Sequence, residues 1–298
     1  RAWHRSLWEA GIATDIVPVG RRLEGYRLIV VPAVFIDRPE LAGHLEQAVA
    51  AGAQVVVSGP TGVVDANAGA ILGGYLGSLR PLLGVRVTDH AALTGPVGQS
   101  DPRGALVNRL SRVVGTPGSE TWTGLEAVSE PLRRVLDRMG APTPDLRAGG
   151  WAEEVRIDVP EEAAETTQAG QGLEAVEVVA VFDGRGGGAD LAGRPAITRR
   201  TVGGAGAGWY VAADLDSLSR AALLTLVCAH ARLRPVVTDL PDGVEAQRRG
   251  PVLFLLNHGD RAAEVAGVVG TDLLTGEACT GHVLLSPRSA LVVRENTR

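Results

Sequence analysis

Residues 27–62 read RLIVVPAVFIDRPELAGHLEQAVAAGAQVVVSGPTG, and the fold class turns on them. Leu28 to Val31 is a continuous run rich in β-branched residues, the pattern of a strand buried on both faces, and it ends at Pro32. Asp37 stands where a side-chain cap would start a helix whose Leu41, Leu45 and Val49 recur every four residues, and Gly52 terminates that helix. A second strand, Gln54 to Val57, follows. Strand, helix, strand in this order predicts parallel pairing with helices packed on both sides of the sheet.

Upstream, Trp3, Leu7 and Trp8 share a helix that stops at Gly11, and Ala13 to Val17 reads as a strand. The chain opens at Arg1 inside that helical pattern and its single methionine is Met139, so it reads as the back part of a longer protein. Downstream, a glycine-rich apolar segment carries Ile71, Leu72, Tyr75, Leu76 and Leu79, with Pro81 limiting it before a strand at Val85 to Thr88. Residues 92–150 read as an insertion on the sheet, ordered in places, in which Leu125, Val128, Leu132, Val135 and Leu136 recur at helical spacing. Strands are expected at Trp151 to Ile157, Val176 to Val181, Ala196 to Thr198 and Trp209 to Ala212, and 160–172 as an exposed loop. Asp214 is the expected cap of a helix running from Leu218 to Leu233.

From Pro235 the period changes to two. Short strands at Val244 to Ala246, Val252 to Leu256, Ala263 to Val268, Asp272 to Leu274, Val283 to Leu285 and Leu291 to Val293, with no helix between them, predict a small antiparallel sandwich or barrel. The expected organisation is therefore an α/β domain over 1–234 and an all-β domain over 235–298. A length of 298 residues supports that division, because single cores stop growing at about 250 to 300 residues.

Apolar residues make up 45% of the chain, enough for substantial cores. Its 29 basic residues are all arginine and are outnumbered by 34 acidic ones, with no basic run longer than two, which argues against a nucleic-acid surface. No apolar run approaches the roughly 20 residues that span a bilayer. Cys228 and Cys279 read as reduced and structural, and two thiols alone cannot cage zinc. A cytoplasmic location is the expectation.

The search for chemistry returns no constellation. Gly203, Gly204, Gly206 and Gly208 mimic a dinucleotide fingerprint, yet they join two strands instead of opening a helix, so they read as a hairpin turn and no cofactor is expected. Glu153 and Glu154 are adjacent on a strand and project to opposite faces, which removes them as a cooperating acid pair. Asp183 reads as a turn residue. His4, His44, His90, His230, His258 and His282 lack metal-ligand spacing, so no metal is expected.

Several stretches in shared order resemble one family. Leu7 to Ile12 with Asp15, Leu28 to Pro32, Gly62 to Asp65, Leu82 to Gly84, Gly193 to Ala196 with Thr198, and Gly208 to Tyr210 look like the trimerisation domain of the family 42 glycoside hydrolases, the bacterial β-galactosidases. Leu253 to His258 and Asp272 to Gly276 resemble the small β-domain that closes those enzymes. The resemblance implies a three-layer, flavodoxin-like (amidotransferase-like) domain with a mainly parallel sheet. In amidotransferases of that fold a cysteine nucleophile sits on the turn after a strand; here the turn reads Ser58, Gly59, Pro60, Thr61, Gly62, without a thiol and without a readable base for Ser58. The family's two catalytic glutamates lie on a TIM barrel that precedes this part and transfer to no residue here. The chain is thus expected to be a non-catalytic assembly portion that forms a homotrimer, with Trp3, Trp8, Tyr75, Leu76 and Trp122 as candidate interface residues. Intramolecular packing is the equal alternative for each. Rival readings are a free-standing amidotransferase-like enzyme and a carbohydrate-binding module.

Overall fold

A computed structural model describes residues 1–93, 122–140, 146–158, 175–186 and 189–296. The chain separates into two compact units, 18–232 and 1–17 together with 233–298. The first seventeen residues, expected with the first domain, therefore pack with the second. Helix α1 (Ala2–Glu9) buries Leu7, Ile12 is buried just after it, and the Val236 N–H donates to the Gly11 carbonyl at 2.8 Å. No ladder forms over 13–17, where a strand was expected.

The larger unit runs β1 (Leu28–Pro32), α2 (Pro39–Ala50), β2 (Gln54–Ser58), α3 (Arg80–Leu83), β3 (Val85–Leu93), β4 (Trp122–Ala127), α4 (Glu130–Arg138), β5 (Leu146–Ile157), β6 (Val176–Gly186), β7 (Pro195–Val202), β8 (Gly206–Val211), β9 (Ala213–Leu215) and α5 (Ser217–His230). Its sheet has the order β1-β2-β8-β7-β6-β4-β5-β3, with β9 beside β5. Only β1–β2 and β2–β8 pair in parallel among the described strands, so the expectation of a mainly parallel sheet is corrected to a mixed one. The cause is loop length. Parallel neighbours need a crossover of a dozen or more residues, which α2 supplies between β1 and β2, whereas the Gly203–Ala205 turn between β7 and β8 can only reverse the chain.

The parallel corner is the best-packed part. Every residue of β2 and of β8 is buried, as strands covered on both faces require. Buried Gln54 accepts a hydrogen bond from Trp209 Nε1 at 2.9 Å, satisfying the indole. Helix α2 comes so close to β8 that a Cβ on Gly206 would stand 1.9 Å from the Val49 carbonyl oxygen, so only glycine fits there.

Two helix starts differ from the sequence reading. Arg38, not Asp37, occupies the cap position of α2, and Asp37 instead accepts from the Ser78 N–H and hydroxyl at 3.1 and 2.7 Å. Asp216, not Asp214, caps α5, accepting from the Ser219 N–H at 2.8 Å, and the helix ends at His230. The helical spacing read from Leu125 spans two elements: Leu125 is buried in β4 and Leu132, Val135 and Leu136 in α4, which starts at Glu130.

The second unit carries β10 (Val244–Arg249), β11 (Val252–Asn257), β12 (Ala263–Asp272), β13 (Ala278–Leu285) and β14 (Ala290–Glu295) in one antiparallel sheet of order β10-β11-β14-β12-β13. Leu253, Leu255, Val265, Val268, Leu285 and Val293 form its core, closed by Val236, Val237 and Leu240. Leu273 and Leu274, expected in a separate short strand from Asp272, lie in a turn that Asp272 holds by accepting from the Leu274 N–H and the Thr275 hydroxyl. The same bonds, the Leu274 N–H first, lower the Asp272 pKa. No helix among the described residues is long and apolar enough to cross a membrane.

Candidate functional site

The turn after β2, where a nucleophile was sought, is a packed junction. The Ser58 carbonyl accepts from the Thr61 hydroxyl at 2.7 Å and from the Ala33 N–H at 3.1 Å, while Thr61 Oγ1 accepts from the Val34 N–H at 3.1 Å. The bonds that fix this turn run through the Ser58 carbonyl and the Thr61 hydroxyl, and none of them involves an imidazole. The nearby crevice lined by Val34, Asp37, Arg38, Leu41, Thr61 and Leu79 is too tight to admit a water molecule.

What does reach this turn is Glu153, which the sequence reading set aside. It sits on β5, is 2% exposed, and its carboxylate accepts the Tyr210 hydroxyl of β8. Burial pushes the Glu153 pKa up to about 7, against a smaller lowering by the Tyr210 bond. Burial, with the facing carboxylate, raises the Tyr210 phenol well above its ordinary range. Glu154 projects oppositely, as the strand period requires, to Thr88, Arg156 and Arg194. Its pKa is lowered, first by the Thr88 hydroxyl. The two glutamates therefore form no acid pair. Asp183 accepts from the Arg185 N–H at 2.8 Å and Asp214 lies 3.8 Å from Arg220, so both are held by local partners.

The five interface candidates fall in both units. Trp3 and Trp8 are half-buried on α1, with the Trp8 ring 6.1 Å from that of His258. Tyr75 is half-buried beside His90, and Trp122 stands at the start of β4 with the Arg147 guanidinium 4.8 Å from its ring centre. Leu76 is a correction: it is fully buried, held at a positive φ by its N–H bond to the Gly62 carbonyl, and offers no surface. The sequence reading passed over Phe35, Ile36 and Leu72, exposed by 49%, 37% and 88%; Phe35 and Ile36 share one segment, Leu72 follows Ala70 on another, and Val64 bridges to both Ile36 and Ala70. The signal for Phe35 and Ile36 was an apolar run continuing beyond Pro32, where a strand buried on both faces had already ended.

Both cysteines are free and buried, and burial raises the Cys228 thiol to about 11, which makes it unreactive at neutral pH. Among the described residues no three His, Cys, Asp or Glu side chains gather as a metal site.

A mixed-sheet α/β unit and a small antiparallel unit define the class of fold. Comparison supplies the family. Residues 1–101 match the β-galactosidase trimerisation domain and residues 243–295 the β-galactosidase C-terminal domain. A β-galactosidase of Arthrobacter sp is 32% identical over 289 residues, which is 95% of this chain and 32% of that protein. The β-galactosidase BglY of Alicyclobacillus acidocaldarius is 29% identical over 98% of this chain and 36% of its own length. In fold, the crystal structure of β-galactosidase from Bacillus circulans sp. alkalophilus superposes with a TM-score of 0.74 at 21% identity, over 99% of this chain and 37% of that one. The chain belongs to the family 42 glycoside hydrolases through these two domains, and it spans about a third of the length of the relatives it matches.

Proposed function

We propose that this chain is the non-catalytic assembly portion of a β-galactosidase that hydrolyses terminal β-D-galactosides with retention, and that it brings three copies together. The match of residues 1–101 to a trimerisation domain carries the reading. In this reading the acid/base and nucleophilic glutamates belong to a TIM-barrel portion of the same polypeptide, and the remaining kinship with amidotransferase-like, flavodoxin-like domains is confined to β1, α2, β2 and β8. In sequence the assembly domain comprises 1–234 and the terminal β-domain 235–298, although residues 1–17 pack with the latter, and the protein works in the cytoplasm, where thiols such as Cys228 and Cys279 stay reduced. Exposed Phe35, Ile36 and Leu72, with Trp3, Trp8, Tyr75 and Trp122, supply apolar surface of the kind that specific interfaces bury. A three-fold ring joins two different patches, so these residues need not meet their own copies.

Light scattering tests the proposal. The expected mass is three times the 30.9 kDa of one chain, with no cleavage of a chromogenic β-galactoside. A single-chain mass would remove assembly from this part, and measurable turnover would overturn the division of labour.

A further inference from the structure

Outside the proposed assembly role, the described residues leave one buried acid without a function. We propose that the Glu153 carboxyl, held by the Tyr210 hydroxyl, is a proton-dependent latch: protonated, it packs without charge against β8 and the turn after β2, and on ionising it places an uncompensated charge there and destabilises that junction.

The geometry is specific. Glu153 is fixed at its backbone by donating to the Ala212 carbonyl at 2.8 Å, and its side chain fills the place a β-carbon would take on Gly59. A Cβ there would lie 2.2 Å from Oε1 and 2.5 Å from Oε2, so the turn is shaped around the carboxyl. The groups on the neighbouring elements offer no compensating charge. From β8 comes the Tyr210 hydroxyl, and from the β2 turn the uncharged Ser58 and Thr61. From β3, His90 is the cross-strand partner, exposed and placed against the Tyr75 ring, and from β9, Asp214 lies at the surface beside Arg220. No cation pairs with Glu153 among the described residues, so ionisation would leave a charge supported by one hydroxyl, a costly state in a buried site.

The pKa of about 7 agrees with this geometry. The sign follows. The folded state keeps its proton to higher pH than the unfolded chain does, so the latch stabilises fully below about pH 4.5 and weakens as pH rises toward 7. Above that, both states are ionised and the loss is complete.

The test is urea unfolding of the chain from pH 4.5 to 8, comparing wild type with Glu153→Gln. The wild-type folding constant should fall on the order of a hundredfold or more relative to the variant between pH 4.5 and 7.5, then run parallel to it. Parallel profiles throughout would overturn the proposal. Carboxyl carbon NMR of the wild type gives a second reading that stands if the variant does not fold. One glutamate resonance should titrate near neutrality and move to higher pH in Tyr210→Phe, because the hydroxyl favours the ionised form. A glutamate set titrating wholly in the ordinary range would end the argument. These outcomes do not depend on how many copies assemble.

Discussion

Strands β2 and β12 are both valine-rich, yet they are built on opposite principles. In β2 Val55, Val56 and Val57 are all fully buried, because packed layers cover both faces of the parallel corner. In β12 Val265 and Val268 are buried while Val269 is 48% exposed. A continuous apolar run thus means two-sided burial, whereas a one-sided strand spends half of its residues on solvent. β12 adds a complication: a bulge between Ala266 and Val268, at Gly267 with φ 78°, shifts the alternation so that the buried valines stand three apart.

The same substitution at the two strands tests this contrast. Val56→Thr keeps the volume but buries a hydroxyl in a fully apolar place, and should cost about 2 kcal/mol in urea unfolding followed by tryptophan fluorescence, with buried Trp209 as reporter. A cost below about 0.5 kcal/mol would mean that the parallel corner is less tightly packed than described. Asp216→Ala removes the cap of α5, a helix that buries Ala222, Leu223, Leu224 and Val227, and should cost about 1 kcal/mol in the same assay. An unchanged midpoint would show that packing alone holds that helix. Val269→Thr, on the solvent side of β12, should stay within about 0.5 kcal/mol of wild type, and a larger loss would mean that this face is covered in solution.

Much of the local structure was legible in the sequence. β1, α2 and β2 follow from residues 28–58 because a helix of period near four between two apolar runs has few alternative packings. The strands after 243 follow from alternation. Glu153 and Glu154 were separated onto opposite faces by strand geometry alone. The role of Glu153 was not legible, because it depends on residues 57 positions away in Tyr210 and 94 away in Gly59 arriving at one point. Leu76, offered as an interface candidate with intramolecular packing as the equal alternative, takes the alternative, because its contact with the distant Gly62 segment buries it.

The amino-acid sequence by itself determined most of the strands and helices, the acidic charge balance and the family, since these depend on periodicity, charge and the order of short patterns along the chain. Tertiary structure alone decided the antiparallel pairing among strands β3 to β7 in the larger sheet, the choice of Asp216 over Asp214 as a cap, the packing of residues 1–17 with the second unit, and the burial of a carboxyl against Tyr210. Local pattern records whether a residue meets an apolar environment; which distant segment provides that environment is set only when the chain closes on itself.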